Sequence, residues 1–394
     1  MNILFVSELS FKNVGFGGAR VLHEHSIRLK KKGHTIYVLT RMTDGESLPL
    51  ENVEGVIVHR YYVDKSNQLN FLISSWKNIF FVFNRLSRQI KFDLINFHQP
   101  ISSLAVNLSP RAWRIPKIYT FLSLAFKEYE TRIQGGVKRN WTHKINSFFL
   151  RVIEKFCLGR CSKIVVLSEF SRQQLISYHK ISPTKIKIIP GGVDVDRFVP
   201  VNDRALVREK LNIPIDKFIL LTVRNLVPRM GIENLLKAMA LVTKERDDIY
   251  LIIGGVGSLE RKLKQLTSKL NLNKFVRFEG FIPEEHLSLY YQSADVFILP
   301  TKFLEGFGLV TLEALSSGLP VLGTPVGGTK EILGRLDPFL LFPDTSPESM
   351  ANSISRYIKY PRLEELGKRC REFVVRNYSW DNAITEFDKL IKME

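Results

Sequence analysis

Two glutamates, Glu305 and Glu313, flank the stretch Gly306-Phe307-Gly308. The apolar run 294–299 before them has the pattern of a buried strand, and residues 309–317 have helical spacing. In a strand, glycine loop and helix of this order, the first-turn amides lack internal partners and carry the positive end of the helix dipole. We expect an anionic or hydroxyl-rich ligand to bind there, with Glu305 in the loop and Glu313 about one turn into the helix. Alternatively, both glutamates are solvated surface charges.

A second glycine-rich loop, residues 13–20, follows the first predicted strand and opens the first predicted helix. A nicotinamide dinucleotide site would need glycine or alanine at the last position of its motif and an acidic residue after the second strand. This chain has Arg20 at the first of these positions and Thr40-Arg41 at the second, so the dinucleotide interpretation fails. Gly17 and Gly18 still permit a phosphate or a sugar to approach the backbone closely. A simple tight turn is the alternative.

Polar side chains follow other predicted strands or precede the helices after them. His98 follows the apolar run 93–97, where a histidine either faces a ligand or has a structural role. Arg224 ends a strand and Arg229 precedes a helix, and an arginine fork matches a phosphate bidentately. Two surface arginines are the alternative. Thr329 follows a further pair of glycines and is expected to cap the next helix.

The composition is that of a folded protein with excess positive charge. The 394 residues suffice for two domains, because a single core rarely exceeds about 250–300 residues. The 57 lysines and arginines against 39 aspartates and glutamates give a net charge of +18, which attracts nucleic acid, anionic lipid or phosphorylated substrates. Cys157, Cys161 and Cys370 are too few for a disulfide framework, which indicates a reducing compartment. No further ligands accompany them, so no metal site is predicted.

The amino-terminal residues 1–6 predict a strand and lack the features of a signal sequence. No stretch reaches the roughly 18 uninterrupted apolar residues of a membrane span. The segment 71–86 comes nearest and is broken by Lys77 and Asn78. A helix half buried in the domain core is the favoured interpretation, and an amphipathic helix lying on a membrane surface is the alternative. We predict a cytoplasmic protein, with peripheral attachment to the inner face of the cell membrane as a further hypothesis.

Strand-like and helix-like runs alternate twice along the chain, which predicts two open α/β sheets. Residues 190–200, rich in proline and glycine, separate the two alternations. We predict an amino-terminal domain of residues 1–201, a carboxy-terminal domain of residues 202–378, and a helix of residues 379–394 that packs back on the amino-terminal domain. Two such domains leave a cleft between them, and ligands of open α/β sheets bind beyond the carboxyl ends of the strands.

Several motifs occur together in the order found in one known enzyme family. They are Gly17-Gly18, Gly33-His34, Pro190-Gly191-Gly192-Val193-Asp194, the run from Arg224 to Gly231, the two glutamates around Gly306-Phe307-Gly308, and Gly327-Gly328 with Glu331. The set resembles the retaining nucleotide-sugar glycosyltransferases of the GT-B fold, family 4, over nearly the whole chain. The glutamate pair is a fairly specific signature, and the ordered set is much more specific. The resemblance implies two Rossmann-like α/β domains that face a central cleft.

The resemblance implies roles for residues of the carboxy-terminal domain. Glu313 would hydrogen-bond the ribose hydroxyls of the nucleotide, and Arg224 would hold the diphosphate. Glu305 would bind the donor sugar together with the backbone of Gly306, Phe307, Gly308 and Leu309. Departure of a nucleoside diphosphate develops negative charge, so preorganised cations and amides that bind it best in the transition state lower the barrier.

In the amino-terminal domain, the resemblance places His98 near the reacting sugar, and Gly17 and Gly18 near the donor phosphates and the acceptor. His98, Arg224 and Glu305 are therefore the predicted catalytic residues. The family commonly has lysine where this chain has Met230, and Arg229 beside it is the cation that could substitute. The resemblance further implies catalysis without a metal ion, and no cofactor is expected beyond the donor substrate.

The sequence therefore predicts a hexosyltransferase. It would move a hexose from a UDP- or GDP-linked sugar to a hydroxyl of a glycan or lipid-linked acceptor, with retention at the anomeric carbon. Synthesis of cell-surface polysaccharide, lipopolysaccharide or glycolipid is the expected setting, and an anionic membrane surface is a further expected partner. No nucleic acid is expected, because no recognition motif with interleaved aromatics occurs. Two alternatives stay open: a sugar-nucleotide isomerase or epimerase on the same fold, and a non-catalytic protein that binds glycan or nucleic acid.

Overall fold

The structure, a computed structural model, describes residues 1–12, 15, 17–43, 48–134 and 141–394. Asn13, Val14 and Phe16 of the predicted loop 13–20 lie outside the described residues. The chain divides into two compact units. The first unit contains residues 1–130, 141–190 and 381–394, and the second contains residues 131–134 and Gly191–Trp380.

The described residues of the first unit form one sheet of eight strands. The strands are β1 (Asn2–Val6), β2 (Thr35–Arg41), β3 (Leu50–Val53), β4 (Val56–Tyr61), β5 (Leu94–Phe97), β6 (Lys117–Phe121), β7 (Lys163–Val166) and β8 (Ile186–Ile188). Their order is β3-β4-β2-β1-β5-β6-β7-β8, and all neighbours are parallel except β3 and β4. The central strands β1, β5 and β6 are buried along almost their whole length, as expected where helices cover both faces of a parallel sheet.

Helices follow most of these strands. They are α1 (Gly17–Lys31), α2 (Gln68–Gln89), α3 (Pro100–Asn107), α4 (Ala125–Gln134), α5 (Trp141–Gly159) and α6 (Glu169–Gln174). One buried cluster joins the inner sides of α2, α3 and α5 to Leu4 and Val6 of β1. These three helices therefore form one layer on the same face of the sheet.

The second unit has a smaller, wholly parallel sheet of order β11-β10-β9-β12-β13. Its elements are α7 (Arg204–Lys210), β9 (Phe218–Val223), α8 (Ile232–Val242), β10 (Ile249–Gly254), α9 (Glu260–Lys269), β11 (Val276–Gly280), α10 (Glu284–Ser293), β12 (Val296–Leu299), α11 (Leu309–Ser316), β13 (Val321–Gly323), α12 (Gly327–Leu336), α13 (Pro347–Ile358) and α14 (Leu363–Asn377). The prediction of two α/β domains on parallel sheets is confirmed. The carboxyl ends of β9 and β12 are neighbours, which brings together loops far apart in the sequence.

The last helix, α15 (Trp380–Lys392), belongs from Asp381 onward to the first unit. His25 of α1 packs against Phe387, with ring centroids 4.7 Å apart. Nε2 of His34 lies 2.8 Å from Oδ1 of Asp388, and both side chains are mostly buried. A helix distant in sequence therefore completes the packing around α1.

Helix α2 covers the segment 71–86 and is buried on one side only. Ile79, Phe83 and Leu86 lie in the core at the spacing of one helical face, as the half-buried interpretation requires. Trp76 and Phe81 point outward and are largely exposed. None of the helices in the described ranges has the length and hydropathy needed to span a lipid bilayer.

Candidate functional site

The loop between β12 and α11 carries Glu305, and backbone contacts fix its course. The carbonyl of Thr301 accepts a hydrogen bond of 2.6 Å from the Thr324 hydroxyl. On the other side, Gly231 has φ +74°, and a Cβ added there would lie 1.8 Å from the carbonyl oxygen of Pro300. Only glycine can occupy position 231 while this loop keeps its path.

Arg229 supports the same loop. Its Nη1 donates a hydrogen bond of 2.9 Å to the carbonyl of Leu304, which has φ +57°. The carbonyl of Arg229 in turn accepts 2.8 Å from the amide of Lys302. A left-handed conformation is costly for leucine, so these contacts help to hold it. The structure thus gives Arg229 a role in positioning the Glu305 loop, and its predicted contact with a diphosphate stays a prediction.

The two glycines that open α12 lie against the other side of the Glu305 loop. Gly327 has φ +57°, and a Cβ there would lie 1.8 Å from the carbonyl oxygen of Glu305. The amide of Gly328 donates 3.0 Å to the same carbonyl, and a Cβ on Gly328 would lie 2.6 Å from Cα of Phe307. The absent side chains let the backbone of residues 305–307 lie directly on the first turn of α12.

Arg224 and Glu305 form a buried ion pair where β9 and β12 end. Their exposed fractions are 9% and 7%, and Nη2 of Arg224 donates to Oε2 of Glu305. Thr301 bridges them, because its hydroxyl lies 3.2 Å from both groups, and Sδ of Met230 lies 2.8 Å from the same Nη2. Nε of Arg224 has no hydrogen-bond partner among the described residues. The pair thus holds the guanidinium in place and leaves its Nε–H available to an anion.

Glu313 lies on α11 and is also mostly buried. The hydroxyl of Tyr291 donates a hydrogen bond of 2.8 Å to Oε2 of Glu313, and Tyr291 packs between Phe198 and Phe297. The carboxylate is therefore held by an aromatic side chain fixed in the core. This burial excludes the alternative in which Glu305 and Glu313 are solvated charges.

Gly308 is the residue before α11, with φ +92° and no side-chain cap. A Cβ there would lie 2.8 Å from the hydroxyl of Thr329 and 3.1 Å from that of Thr311. Both hydroxyls are buried and have no hydrogen-bond partner within the described chain. The expectation that Thr329 caps α12 is wrong: Val326 is the N-cap residue, because Thr329 already lies inside the first turn. Leu309 opens α11, whose first-turn amides face this loop.

In the first unit, His98 follows β5 and is buried. Its amide donates 3.1 Å to the carbonyl of Val6, and its ring lies 5.9 Å from that of Phe5. Burial, with a smaller contribution from His25, lowers the pKa of His98 to about 3. Both ring nitrogens lack a hydrogen-bond partner in the described part of the chain. The imidazole is therefore neutral near pH 7 and suits hydrogen bonding to a hydroxyl, not proton donation.

Gly17 and Gly18 begin α1. A Cβ on Gly18 would lie 2.8 Å from Cδ1 of Leu9 and 2.9 Å from Cδ1 of Leu122. Close packing of the helix start against these side chains accounts for glycine at position 18. The predicted approach of a phosphate or sugar to this turn stays a prediction.

A polar network next to His98 was not predicted from the sequence. Oε1 of Gln99 accepts hydrogen bonds of 2.9 Å from the Ser7 hydroxyl and from the amide of Glu8. Oε1 of Glu8 accepts 2.9 Å from the amide of Ser102, in the first turn of α3. Burial raises the pKa of Glu8. Ser7 and Glu8 follow β1 as Gln99 follows β5, so the only available signal was polarity at two strand ends.

No group of three or more histidines, cysteines, aspartates or glutamates within the described ranges is arranged to hold a metal ion. Catalysis without a metal stays a prediction from the family resemblance.

Two family models match the chain. Residues 203–377 match the model described as Glycosyl transferases group 1, and residues 16–197 match the one described as Glycosyltransferase Family 4. Together they leave out only the two ends of the chain and residues 198–202.

Curated relatives match over most of their length. An uncharacterized glycosyltransferase of Methanocaldococcus jannaschii is 26% identical over 377 residues, which cover 93% of this chain and 91% of the relative. A D-inositol 3-phosphate glycosyltransferase of Corynebacterium efficiens is 25% identical over 377 residues, which cover 92% of this chain and 87% of the relative.

Solved structures share the fold of the whole chain. Sucrose-phosphate synthase of Thermosynechococcus elongatus superposes with a TM-score of 0.84 at 24% identity, covering 100% of this chain and 98% of that one. Anabaena HepE in complex with UDP and glucose gives 0.81 at 18% identity, covering 100% of both chains. WaaG, a glycosyltransferase involved in lipopolysaccharide biosynthesis, gives 0.74 at 18% identity, covering 99% of both chains. These neighbours are GT-B glycosyltransferases, so the fold is GT-B.

Proposed function

Because the chain belongs to glycosyltransferase family 4 and has the GT-B fold, we propose that it transfers a hexose from a UDP- or GDP-linked sugar to a hydroxyl of an acceptor. The proposal includes retention of configuration at the anomeric carbon and catalysis without a metal ion. The observation that carries it is the buried Arg224–Glu305 pair at the carboxyl ends of β9 and β12, beside the first turn of α11.

The leaving group of such a reaction is a nucleoside diphosphate, on which negative charge develops as the sugar departs. Arg224 would bind the diphosphate through its Nε–H donor, while Glu305 fixes the guanidinium at Nη2. The first-turn amides of α11, which begins at Leu309, would add partial positive charge. Because the burial of the pair fixes the guanidinium before the substrate arrives, little reorganisation is needed during the reaction.

The sugar and the ribose would occupy the two ends of the Glu305–Glu313 stretch. Glu305 and the backbone of Gly306, Phe307 and Gly308 would bind the sugar hydroxyls. Glu313 would accept hydrogen bonds from the ribose hydroxyls, and its hydrogen bond to Tyr291 would hold the carboxylate ready for them. Neutral His98 of the first unit would hydrogen-bond a sugar hydroxyl and not act as a general acid.

The acceptor is proposed to be a glycan or a lipid-linked sugar in cell-surface polysaccharide or lipopolysaccharide synthesis, at the inner face of the cell membrane. The involvement of the structural neighbour WaaG in lipopolysaccharide biosynthesis supports this setting. Other relatives are named D-inositol 3-phosphate glycosyltransferases, which makes a small sugar phosphate the second kind of acceptor to test. Acceptor assays should therefore include membrane-extracted glycolipid and soluble sugar phosphates.

The first experiment is a thermal-shift screen of the full chain against UDP, GDP, ADP and their sugars. A ligand at 100 times its dissociation constant stabilises the native state by about 2.7 kcal/mol, so the correct base should stand out. Glu313→Gln should weaken the selected nucleotide about tenfold or more, because it removes a charged hydrogen bond. Glu348→Gln on the exposed side of α13 is the matched control and should bind normally.

The second experiment follows the chemistry. Transfer would be supported if nucleoside diphosphate is released only when acceptor is added. NMR of the product should then show that the anomeric configuration of the donor sugar is retained. Conversion of the donor sugar in the absence of acceptor would replace this proposal by an isomerase. An inverted linkage would refute the retaining mechanism alone.

A further inference from the structure

Large apolar side chains stand exposed on one side of the first unit. Trp76 and Phe81 lie on α2, Trp113 lies in the turn after α3, and Phe148 and Phe149 lie on α5. Between 40% and 64% of the surface of each is exposed. Isolated exposed apolar residues are common, but five large aromatic rings on one helical layer call for an explanation.

These side chains share one surface because their helices share one layer. Helix α3 packs against both α2 and α5, and all three bury their inner sides in the same core cluster. The Ser109 hydroxyl donates 2.8 Å to Oδ1 of Asn84, which ties the turn after α3 to α2. We call the outward side of α2, α5 and the turn 108–114 the docking face.

The exposed charged side chains of the docking face are all cationic. Residues 65–92 and 99–127 contain no aspartate or glutamate, and residues 141–160 contain only Glu154. That carboxylate points inward, is 1% exposed and lies 2.8 Å from Nε2 of His179. The exposed cations of the face include Lys77, Arg85 and Arg88 of α2, Arg111 and Arg114 of the turn, and Lys144 and Lys155 of α5. No exposed carboxylate therefore occurs on the described part of this face.

We propose that the docking face binds the surface of an anionic lipid bilayer, with its aromatic side chains at headgroup depth and its cations against the lipid phosphates. Aromatic rings and basic side chains together suit the interface between water and hydrocarbon. Aliphatic side chains are exposed beside the rings, among them Ile73, Leu108 and Val152, and these favour insertion into lipid over stacking on bases. The inference rests on the proposed function in that a lipid-linked acceptor would be held at such a surface.

The test uses the full chain and sedimentation with vesicles of phosphatidylglycerol and phosphatidylcholine, or of phosphatidylcholine alone. The protein should partition into the anionic vesicles at low salt and less at high salt. Arg85→Gln with Arg88→Gln should lower the partition coefficient about 25-fold, from about fivefold per cation at the surface. Arg261→Gln with Lys269→Gln removes two exposed cations from α9 and should change partitioning little.

The contribution of apolar side chains to vesicle binding is tested by a second variant and its matched control. Phe148→Ser with Phe149→Ser should weaken partitioning about tenfold or more, because each ring buries apolar area in the bilayer. Leu206→Ser with Ile215→Ser removes side chains of similar exposure from the second unit, 55% and 59% against 63% and 57%, and should leave partitioning intact. Circular dichroism and melting of each variant show whether it folds.

Absence of partitioning into anionic vesicles at low salt would overturn the inference, as would equal losses in the control variants. Tighter binding to single-stranded RNA than to vesicles, abolished by the docking-face substitutions, would replace the lipid by nucleic acid. Nucleotide binding by thermal shift is measured on the same preparations. Failure with vesicles while nucleotide still binds refutes the docking inference alone, and the reverse result refutes the proposed function alone.

Discussion

Replacing Glu305 with glutamine should destabilise the second unit strongly even though the side chain keeps its shape. Glutamine can still accept a hydrogen bond from Nη2 of Arg224, but the guanidinium loses its counter-charge. Both side chains are less than a tenth exposed, so water cannot replace the lost carboxylate.

The size of the effect follows from this burial. Breaking a buried ion pair by removing one partner costs about 3–5 kcal/mol, whereas exchanging the whole pair for apolar side chains is often nearly neutral. In a unit of this size each kcal/mol lowers the melting temperature by about 2–4 °C, so Glu305→Gln should lose roughly 6–20 °C. The double variant Arg224→Met with Glu305→Leu should recover most of that loss.

Differential scanning calorimetry at neutral pH measures the prediction, and the transition that UDP or GDP shifts identifies the second unit. Glu233→Gln is the control, because Glu233 is paired with exposed Lys262 and its loss should cost under about 1 kcal/mol. A Glu305→Gln protein that melts with the wild type would refute the reasoning. So would a double variant that is less stable than the single one.

Three further outcomes are expected. Gly327→Ala should reduce both stability and nucleotide binding. Gly33 is also at positive φ, but nothing lies within 4 Å of a Cβ added there. Gly33→Ala should therefore lose only about 1–2 kcal/mol of stability in thermal melts, which is the backbone cost of the left-handed conformation. The pKa of His98 is lowered from 6.5 to about 3, so between these pH values the folded state binds fewer protons than the unfolded chain and stability falls as the pH drops. At pH 5 this loss is about 2 kcal/mol, and His98→Gln should remove it. Urea titrations in which His98→Gln is as sensitive to acid as the wild type would contradict this. Thr329→Val should raise the free energy of unfolding, measured by urea titration, by about 1 kcal/mol, because it removes a buried hydroxyl without a partner in the described chain, and Thr329→Ser should not.

The sequence predicted the chemistry of the Glu305–Glu313 stretch better than its geometry. Alternating apolar and helical runs were enough for two parallel α/β sheets, and β12 and α11 lie almost where the apolar runs placed them. That Arg224 is the partner of Glu305 depends on β9 lying next to β12, and strand order leaves no mark on local periodicity. The pair therefore had to be seen in the structure.

Local rules failed where neighbours decided the conformation. The hairpin of β3 and β4 turns through Glu54 and Gly55, both at positive φ, and glutamate is a rare residue in that position. Thr329 has the residue type of a helix cap, but the helix begins two residues earlier, where Gly327 takes a conformation other residues avoid. Contacts with the Glu305 loop, not the local sequence, set that start.

The packing of α15 on α1 has a consequence for biosynthesis. The first unit needs a segment that the ribosome makes only after the whole of Gly191–Trp380. Translation adds about 5–20 residues per second. The surfaces of His25 and His34 that later contact Phe387 and Asp388 therefore stay exposed for roughly 10–40 s after residue 190 emerges. Nearly all of the second unit is the single segment Gly191–Trp380, which can complete its fold within that interval. The later part of the chain should thus fold first, and the nascent first unit is where a chaperone would be needed.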